Sequence, residues 1–291
     1  MLGKRSGVMK TNYHTHTTFC DGKNTPKENV EEALKRGFSI LGFSSHSLYP
    51  HSSDWHMNAE DHAKYFGEIR SLAKEYEGKI KIYAGLEADY IPEFACDFEW
   101  AYKEFSPDYL IGSVHYLNNK NGFFTVDGPL AEVTEGLERL YKNDGKKAVC
   151  EYFDRQRQML ATQKISILGH ADLVRLRNES LKFFDEGDSW YKKELKATAK
   201  AAAKAGVIVE INTGGMARSK FDDVYPSVEF LDYLRQAGAP VTFSSDAHSV
   251  ECLDFAFDRA ELAAIRAGYQ EAAYIEDGQI KFYQLNGALK S

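Results

Sequence analysis

The 291-residue sequence has no long apolar run, no clustered cysteines and no excess of basic charge. No apolar stretch reaches the roughly 18 residues that a membrane-spanning helix needs, so we expect no contact with a membrane. The first ten residues carry three basic side chains without an apolar core, which is not the pattern of a secretory signal peptide. Met9 could be an alternative start. We therefore expect residues 1–8 to be a disordered extension and residues 9–291 to form one domain.

The cysteines and the charge balance narrow the possible functions further. Cys20, Cys96, Cys150 and Cys252 are scattered and form no CxxC pair, which indicates reduced thiols in a cytoplasmic protein. The formal net charge of −7 argues against a nucleic-acid-binding surface, because such surfaces carry a basic face. An acidic chain can still bind phosphate if metal cations supply positive charge locally. Oligomeric state has no signature in the sequence.

Short apolar runs alternate with longer segments of helical periodicity, and this order predicts a parallel α/β array. A single α/β barrel of about 250 residues would account for the length. The clearest helix is predicted over Pro26–Arg36, with Thr25 as N-cap and Glu28 closing a capping box. A terminal hairpin is predicted around Asp277-Gly278, where it would close or cap the barrel. The predicted strands are Thr11–His14, Ile40–Ser44, Ile80–Leu86, Tyr109–Val114, Ile165–Gly169, Val207–Ile211 and Pro240–Ser244.

Candidate metal ligands stand at or just after the ends of these predicted strands. In a parallel barrel all the carboxyl ends of the strands lie on one face, around one central mouth. A random scatter of histidines would not choose the same end of each strand. The sequence therefore predicts a single site, built from His14, His16, Asp21, His46, Glu87, His115, His170, Asp246 and His248.

The donor types in this set favour divalent transition metals. His14 and His16 project to the same side of the chain, because side chains alternate along a strand with a period of two. Asp246 and His248 repeat the same spacing near the other end of the sequence. Imidazole nitrogen and carboxylate oxygen suit Zn, Fe or Mn, and no thiolate is among the donors.

The motifs resemble those of the polymerase-and-histidinol-phosphatase (PHP) superfamily. The resemblance covers about Met9 to Gly287 and implies a distorted (β/α)7 barrel, similar to a TIM barrel, with the metal site at the carboxyl ends of the strands. The length and the Gly-His-Ala-Asp-Leu element look most like the monofunctional histidinol-phosphate phosphatases. The motifs stand here as His14-Thr-His16, Ser-Ser-His46, Gly-Leu-Glu87-Ala-Asp-Tyr, Ser-Val-His115-Tyr, Gly-His170-Ala-Asp-Leu and Ser-Asp246-Ala-His248.

The resemblance also implies three divalent transition-metal ions, of Zn, Fe or Mn, each with its own ligands. The first ion would bind to His14, His16, Glu87 and Asp246. Glu87 would bridge to the second ion, which His115 and His170 would complete. Asp21, His46 and His248 would hold the third ion. None of the nine positions is substituted, which weighs against an inactive member of the superfamily.

A small phosphate monoester is the substrate that this arrangement implies. Metal ions would neutralise the phosphoryl oxygens and lower the pKa of a bound water from about 16 toward about 7. We expect a hydroxide that bridges the first two ions to attack phosphorus directly. Glu87 would hold the bridging pair, and either Asp246 or His248 would supply the proton for the leaving group.

Two arginines are candidates for contacts with the substrate phosphate, because guanidinium groups can bind phosphate in a bidentate manner. Arg175 follows His170 by five residues, and Arg218 follows the Asn212-Thr-Gly-Gly segment at the sixth strand end. The alternative for each is an ordinary charge on a loop.

Other polar residues near the motifs have plainer interpretations. His51, His56 and His62 fit no strand end and are expected to be loop residues, with contacts to substrate as the alternative. Their segment is long enough to act as a lid. Asp89 and Asp172 are expected to support neighbouring ligands or cap local structure.

The leading hypothesis is therefore hydrolysis of L-histidinol phosphate to L-histidinol and phosphate, in histidine biosynthesis. A phosphoesterase of other specificity, acting on nucleotides or phosphotyrosine, is the first alternative. A non-catalytic metal-binding module is the second alternative, and the complete ligand set disfavours it. A proofreading exonuclease is disfavoured by the acidic charge and by the lack of an attached polymerase.

Overall fold

Strands and helices alternate along most of the chain in the computed structural model, which describes residues 9–47, 53–94 and 97–285. The expected extension at residues 1–8 lies outside this part of the chain. The strands are β1 (Thr11–Asn12), β2 (Ile40–Phe43), β3 (His46–Ser47), β4 (Lys81–Asp89), β5 (Tyr109–Ser113), β6 (Tyr116–Asn119), β7 (Gly122–Thr125), β8 (Ile167–Leu168), β9 (Ile208–Asn212), β10 (Val241–Ser244), β11 (Glu271–Glu276) and β12 (Gln279–Gln284). The helices are α1 (Pro26–Lys35), α2 (His62–Glu75), α3 (Glu99–Phe105), α4 (Leu130–Tyr141), α5 (Gly145–Thr162), α6 (Arg175–Leu181), α7 (Ser189–Ala205), α8 (Gly214–Arg218), α9 (Val228–Ala237) and α10 (Phe257–Arg266).

Seven parallel strands form the barrel, in the order β1-β2-β4-β5-β8-β9-β10. The short strand β3 pairs with the second half of β4, where His46 lies beside Glu87. A parallel bridge between Thr15 and Ala247 joins the chain beyond β1 to the chain beyond β10. The backbone amide of His16 donates to Ala247 at 2.8 Å, and the amide of Ala247 donates to His14 at 3.0 Å. The distorted (β/α)7 barrel predicted from the sequence is thus confirmed.

The hairpin formed by β11 and β12 fills the end of the barrel opposite the predicted metal site. Ile275 packs with the buried residues of the barrel interior, and its backbone exchanges hydrogen bonds with the Tyr13 hydroxyl. Asp277 accepts a hydrogen bond from Lys81, which stands at the start of β4. The predicted closing hairpin is therefore confirmed, and among the described residues the candidate metal ligands lie at the other end of the barrel.

Local sequence signals place several elements as expected. Thr25 caps α1, and the Glu28 side chain reaches back to the Thr25 backbone to complete the capping box. β8 is shorter than predicted, with only two residues in the ladder. The β6–β7 hairpin and the short helices α3, α6 and α8 were not predicted. None of the helices in the described residues is long and apolar enough to cross a membrane.

Candidate metal centre

The nine predicted ligands meet at the carboxyl end of the barrel. His14 and His16 lie on the extension of β1, and the pairing of Thr15 with Ala247 places this extension beside Asp246 and His248. Because alternate side chains of an extended segment point the same way, both imidazoles of the HxH motif face the barrel axis. The rings of His14 and His16 are 5.1 Å apart, and the rings of His16 and His248 are 4.0 Å apart.

Glu87 lies at the middle of the site, almost fully buried on β4. Its Oε2 atom lies 3.0 Å from both His14 Nε2 and His46 Nδ1, and its Oε1 atom lies 3.0 Å from His170 Nε2. Ser113 donates a hydrogen bond to Oε1 at 2.6 Å. Burial alone would raise the pKa of Glu87, but the surrounding imidazoles lower it well below its usual range. The carboxylate is therefore ionised and has imidazoles at both oxygens, as a bridging ligand requires.

Asp246 closes the site on the side of β10. Its Oδ1 atom lies 3.1 Å from His16 Nε2, and its Oδ2 atom accepts a hydrogen bond from Arg218 at 2.7 Å. Burial opposes ionisation, but Arg218 and His14 hold the pKa of Asp246 well below its usual range. The backbone at Asp246 has a φ of 50°, a left-handed conformation that Asp and Asn tolerate better than most residues.

Asp21 and His248 form the outer part of the site. His248 Nε2 lies 3.1 Å from Asp21 Oδ2, and His16 Nδ1 lies 3.6 Å from Asp21 Oδ1. The nearer nitrogen of His46 is 4.0 Å from the same Oδ1 atom. Both residues line the open cavity, so this part of the site is the most accessible to solvent and substrate.

Among the described residues, three clusters of donor atoms are compact enough to surround a metal ion, because the donor atoms of each cluster lie within 4.8 Å of one another. His14, His16 and Asp246 form the first cluster, and His46, Glu87 and His115 form the second. His16, Asp21, His46 and His248 form the third. His170 contacts Glu87 directly at the edge of the second cluster. His16 and His46 each belong to two clusters, so each could serve either of two ions.

The surroundings of two of these donors fit a divalent metal ion. His16 Nε2 and His46 Nδ1 are buried and have no hydrogen-bond partner among the described residues, although each has a carboxylate oxygen about 3 Å away. Burial, with His248 and His46 nearby, lowers the pKa of His16 to about 3, so its ring is neutral and can coordinate. Nitrogen and carboxylate donors crowded in this way repel one another less when a cation lies between them.

Two buried acids on barrel strands contact histidines of the site and orient their rings. The Glu210 carboxylate on β9 lies 2.9 Å from His14 Nδ1. It also accepts a hydrogen bond from the backbone amide of His170 at 2.8 Å. Asp89 lies 2.6 Å from His115 Nδ1, which agrees with its predicted supporting role. Such contacts fix the ring orientation and raise the basicity of the coordinating nitrogen. Sequence analysis missed Glu210; its only signal was an acid in the middle of an apolar strand.

Residues 53–57 cover one side of the site. The Trp55 ring lies 4.6 Å from the His46 ring, and His56 Nε2 lies 2.8 Å from Asp89 Oδ2. His56 is therefore linked to His115 through Asp89. His62 instead contacts Ser47 at the start of α2 and serves the packing of that helix. His51 lies outside the described residues.

The two predicted phosphate-binding arginines occupy different environments. Arg218 lines the cavity, half-exposed, and its Nη1 atom lies 3.1 Å from His248 Nδ1. Arg175 is buried, with Glu186 at 2.7 Å and Asp223 at 2.6 Å, and it is not part of the cavity lining. The structure thus places Arg218 at the site but does not bring Arg175 to it. The Glu186 and Asp223 carboxylates that bind Arg175 belong to other segments of the chain. The spacing of the two arginines from the motifs therefore could not distinguish their roles.

Asp172, like Arg175, has a structural role. Its Oδ2 atom accepts a hydrogen bond from the amide of Ser227 at 2.8 Å and lies 3.5 Å from Arg175. Burial raises the pKa of Asp172 to about 6. Asp172 therefore supports the start of α9, in keeping with its prediction as a local cap.

A cavity of about 630 Å³ opens beside the candidate metal ligands and is large enough for a small phosphate ester. Its floor contains candidate ligand side chains and Arg218, and its walls include residues 53–55 and the β6–β7 hairpin with the loop that follows. The lining residues are Asp21, His46, Ser53, Asp54, Trp55, His115, Tyr116, Phe123, Thr125, Asp127, Gly128, Pro129, Glu132, His170, Leu173, Arg218, Asp246 and His248.

Comparison with known proteins agrees with this geometry. Residues 12–214 match the PHP domain model. The chain is 28% identical over 269 residues to the histidinol-phosphatase of Bacillus subtilis, covering 86% of this chain and 98% of the relative. It is 30% identical over 250 residues to a protein of Deinococcus radiodurans named "Probable histidinol-phosphatase", covering 84% and 88% of the two chains.

A solved structure shares the fold along its whole length. The histidinol phosphate phosphatase of Lactococcus lactis, solved with zinc, L-histidinol and phosphate, superimposes with a TM-score of 0.71 at 23% identity. The match covers 94% of this chain and 100% of that chain. With the matched domain spanning more than half of its residues and its predicted ligands gathered at one barrel mouth, the chain belongs to the PHP domain family.

Proposed function

We propose that the chain is a metal-dependent phosphomonoesterase that hydrolyses L-histidinol phosphate to L-histidinol and phosphate in histidine biosynthesis. The observation that carries this proposal is the convergence of nine candidate ligand residues at one barrel mouth, six of which line a single cavity together with Arg218. The names of the relatives support the choice of substrate. The unpaired thiols of Cys20, Cys150 and Cys252 support a cytoplasmic location.

The proposal includes three divalent ions of Zn, Fe or Mn. His14, His16, Glu87 and Asp246 would hold the first, and Glu87, His115 and His170 the second. The third would take Asp21, His46 and His248, which all belong to the third donor cluster. When bound, such ions neutralise phosphoryl oxygens and make a water molecule acidic enough to attack phosphorus at neutral pH.

The side chains of the chain position the ester and the transferred proton. Arg218 presents its guanidinium group to the cavity and binds a phosphoryl oxygen, while its contacts with Asp246 fix its direction. Asp246 and His248 lie beside it, where either can take a proton from the attacking water and pass it to the leaving oxygen. Trp55, packed over His46, limits the entry of bulk water from that side.

Substitution of Arg218 by alanine is expected to raise KM for the phosphate ester by about 10- to 100-fold, because a charge-assisted contact to phosphate is lost. Inhibition by inorganic phosphate should weaken by a similar factor. Steady-state kinetics with phosphate as a competitive inhibitor measures both effects.

Arg175→Met provides the contrast, because Arg175 neutralises buried Asp172 and contacts Asp223 and Glu186. Removing one partner of a buried ion pair costs about 3–5 kcal/mol, so this variant should lose thermal stability. Its KM should stay within about threefold of the original value wherever the protein is still folded. An Arg175→Met protein with a large rise in KM and no loss of Tm would reverse these assignments.

A phosphate-release assay on metal-loaded protein tests the proposed function. Histidinol phosphate, phosphotyrosine, a nucleoside monophosphate and a phosphodiester should be compared at equal concentration. We expect kcat/KM for histidinol phosphate to exceed the others by at least about 100-fold, since specific polar contacts give discrimination of that order. Comparable rates for all four compounds would contradict the substrate assignment, and no activity on any monoester would contradict the reaction itself.

A further inference from the structure

The cavity lining combines the candidate metal ligands and Arg218 with residues of a different kind. The part that holds the candidate ligands and Arg218, the floor, suits the phosphate end of a substrate. The rest of the lining, the wall, includes Asp127, whose charge acts on Arg218, and three aromatic residues, Trp55, Tyr116 and Phe123. None of these four wall residues is a predicted metal ligand, so they can contact the part of the substrate beyond the phosphate.

Asp127 is held on this wall by its backbone, which leaves its carboxylate available. The loop between β7 and α4 carries it, and Arg177 fixes this loop by donating to the carbonyl oxygens of Asp127 at 2.5 Å and Gly128 at 2.6 Å. The Asp127 carboxylate is half-buried, lines the cavity and makes no hydrogen bond or ion pair with any described residue. Its charge contributes to the raised pKa of His115, so it acts on the same space as the metal ligands.

The other acids of the wall differ from Asp127. Glu132 is engaged, since its Oε1 atom accepts hydrogen bonds from the backbone amide and the hydroxyl of Thr125. Asp54 is exposed to solvent. Asp127 is therefore the wall carboxylate that combines partial burial with a free hydrogen-bonding capacity.

An unpaired carboxylate close to a phosphate site repels a dianionic ester, because like charges in a partly desolvated cavity are poorly screened. This repulsion becomes an attraction if the substrate itself carries a cation near its phosphate. L-Histidinol phosphate does so, since its ammonium group is on the carbon next to the one that bears the ester.

The aromatic residues beside Asp127 offer flat surfaces to a ring. Trp55 and Tyr116 are nearly parallel, with an angle of 12° and centroids 5.7 Å apart, and the Phe123 ring lies 5.9 Å from that of Tyr116. Phe123 is 54% exposed, although it is a large apolar residue. Planar rings and cations both bind favourably against such faces.

We propose that Asp127 binds the ammonium group of the substrate and makes this phosphatase selective for amino-bearing phosphate esters, with the imidazole ring placed against the wall of Trp55, Tyr116 and Phe123. This inference rests on the proposed function and adds the residue that recognises the amine. The phosphate end is fixed by the floor and the amine by Asp127, so the ester has one orientation in the cavity.

A pair of substrates tests the role of Asp127: histidinol phosphate and the same ester with hydrogen in place of the amine. The wild-type protein should prefer the amine-bearing ester by about 10- to 100-fold in kcat/KM, the range for a hydrogen bond between charged groups. In Asp127→Asn this preference should fall to nearly one, chiefly through KM, while activity on the deaminated ester is unchanged or higher. Asp127→Glu, which keeps the charge, should retain part of the preference.

Asp54→Asn is the matched control, because it removes an exposed acid from the same wall and should leave the preference intact. A preference that persists in Asp127→Asn, or that disappears in Asp54→Asn, would overturn the inference while the phosphatase assignment stands. Equal rates of the wild-type protein on both esters would also overturn it. If the wild-type protein hydrolyses neither ester, the proposed function fails and the inference fails with it.

Discussion

Replacement of Asp246 by asparagine is expected to lower kcat for phosphate ester hydrolysis by at least about 10³-fold while the fold is retained. Asp246 contacts both histidines of the HxH motif and orients Arg218, so one change affects metal ligation and phosphate binding together. Asparagine has the same shape and tolerates the left-handed backbone at this position, whereas alanine would add conformational strain. Phosphate release and circular dichroism of the purified variant measure the two parts of this expectation.

Asp222→Asn is the matched control for this experiment. Asp222 is exposed and pairs with Arg259 on the surface, where an ion pair contributes at most about 1 kcal/mol. Its kcat should stay within about twofold of the wild-type value. Asp246→Asn with kcat close to that of the control would remove Asp246 from the chemistry.

Replacement of Glu87 by glutamine is expected to abolish measurable turnover and to lower the metal content of the protein. Glu87 has imidazole nitrogens at both carboxylate oxygens, and its negative charge would hold two neighbouring metal ions together. The amide has a similar size but lacks the negative charge and presents an N–H donor where a cation should bind. Elemental analysis and phosphate release on the same preparation would show whether metal and activity are lost together.

The Glu210→Gln variant tests whether Glu210 binds metal itself or only supports a metal ligand. Glu210 is as deeply buried as Glu87, but it contacts His14 on the ring nitrogen that faces away from the other ligands. Loss of such support commonly reduces metal affinity or activity by about 10- to 100-fold. A Glu210→Gln variant as inactive as Glu87→Gln would mean that Glu210 is itself a metal ligand.

The position of the site was predictable because one geometric rule applies to every strand of a parallel barrel. His14, His115 and His170 are far apart in sequence, yet each follows the end of a barrel strand by two residues, and the barrel brings those ends to one mouth. The period of two along an extended segment was enough to orient His14 and His16 together. The resemblance of the motifs to the PHP superfamily then identified the kind of chemistry.

Residues whose roles depend on contacts between distant segments were not predictable in the same way. Glu210 supports His14 only because β1 and β9 are both part of the closed barrel, and an acid within an apolar strand has no unique meaning. Arg175 and Arg218 both follow strand ends, but Arg175 begins α6 and points to Glu186 and Asp223. The direction of a side chain in a loop depends on partners that spacing does not reveal.

The β6–β7 hairpin was not predicted either, although Asn121-Gly122, a turn signal, lies where its loop meets β7. Its strands are short and follow His115 directly, so they read as part of a long loop after the fourth barrel strand. This hairpin and the loop after it provide Tyr116, Phe123 and Asp127 to the cavity. The candidate metal centre was thus predictable from the sequence, whereas the surface that we propose selects the substrate is seen only in the fold.

We propose that nine side chains at the barrel mouth form one metal centre on which phosphatase activity depends. Elemental analysis of the purified protein, followed by phosphate release before and after exhaustive chelation and resupply of Mn, Fe or Zn, tests this dependence. We predict about three transition-metal ions per chain, loss of activity with the metal, and recovery on resupply. Protein that contains no transition metal, and that gains no phosphatase activity when Mn, Fe or Zn is added, would show that these side chains do not form a catalytic metal centre.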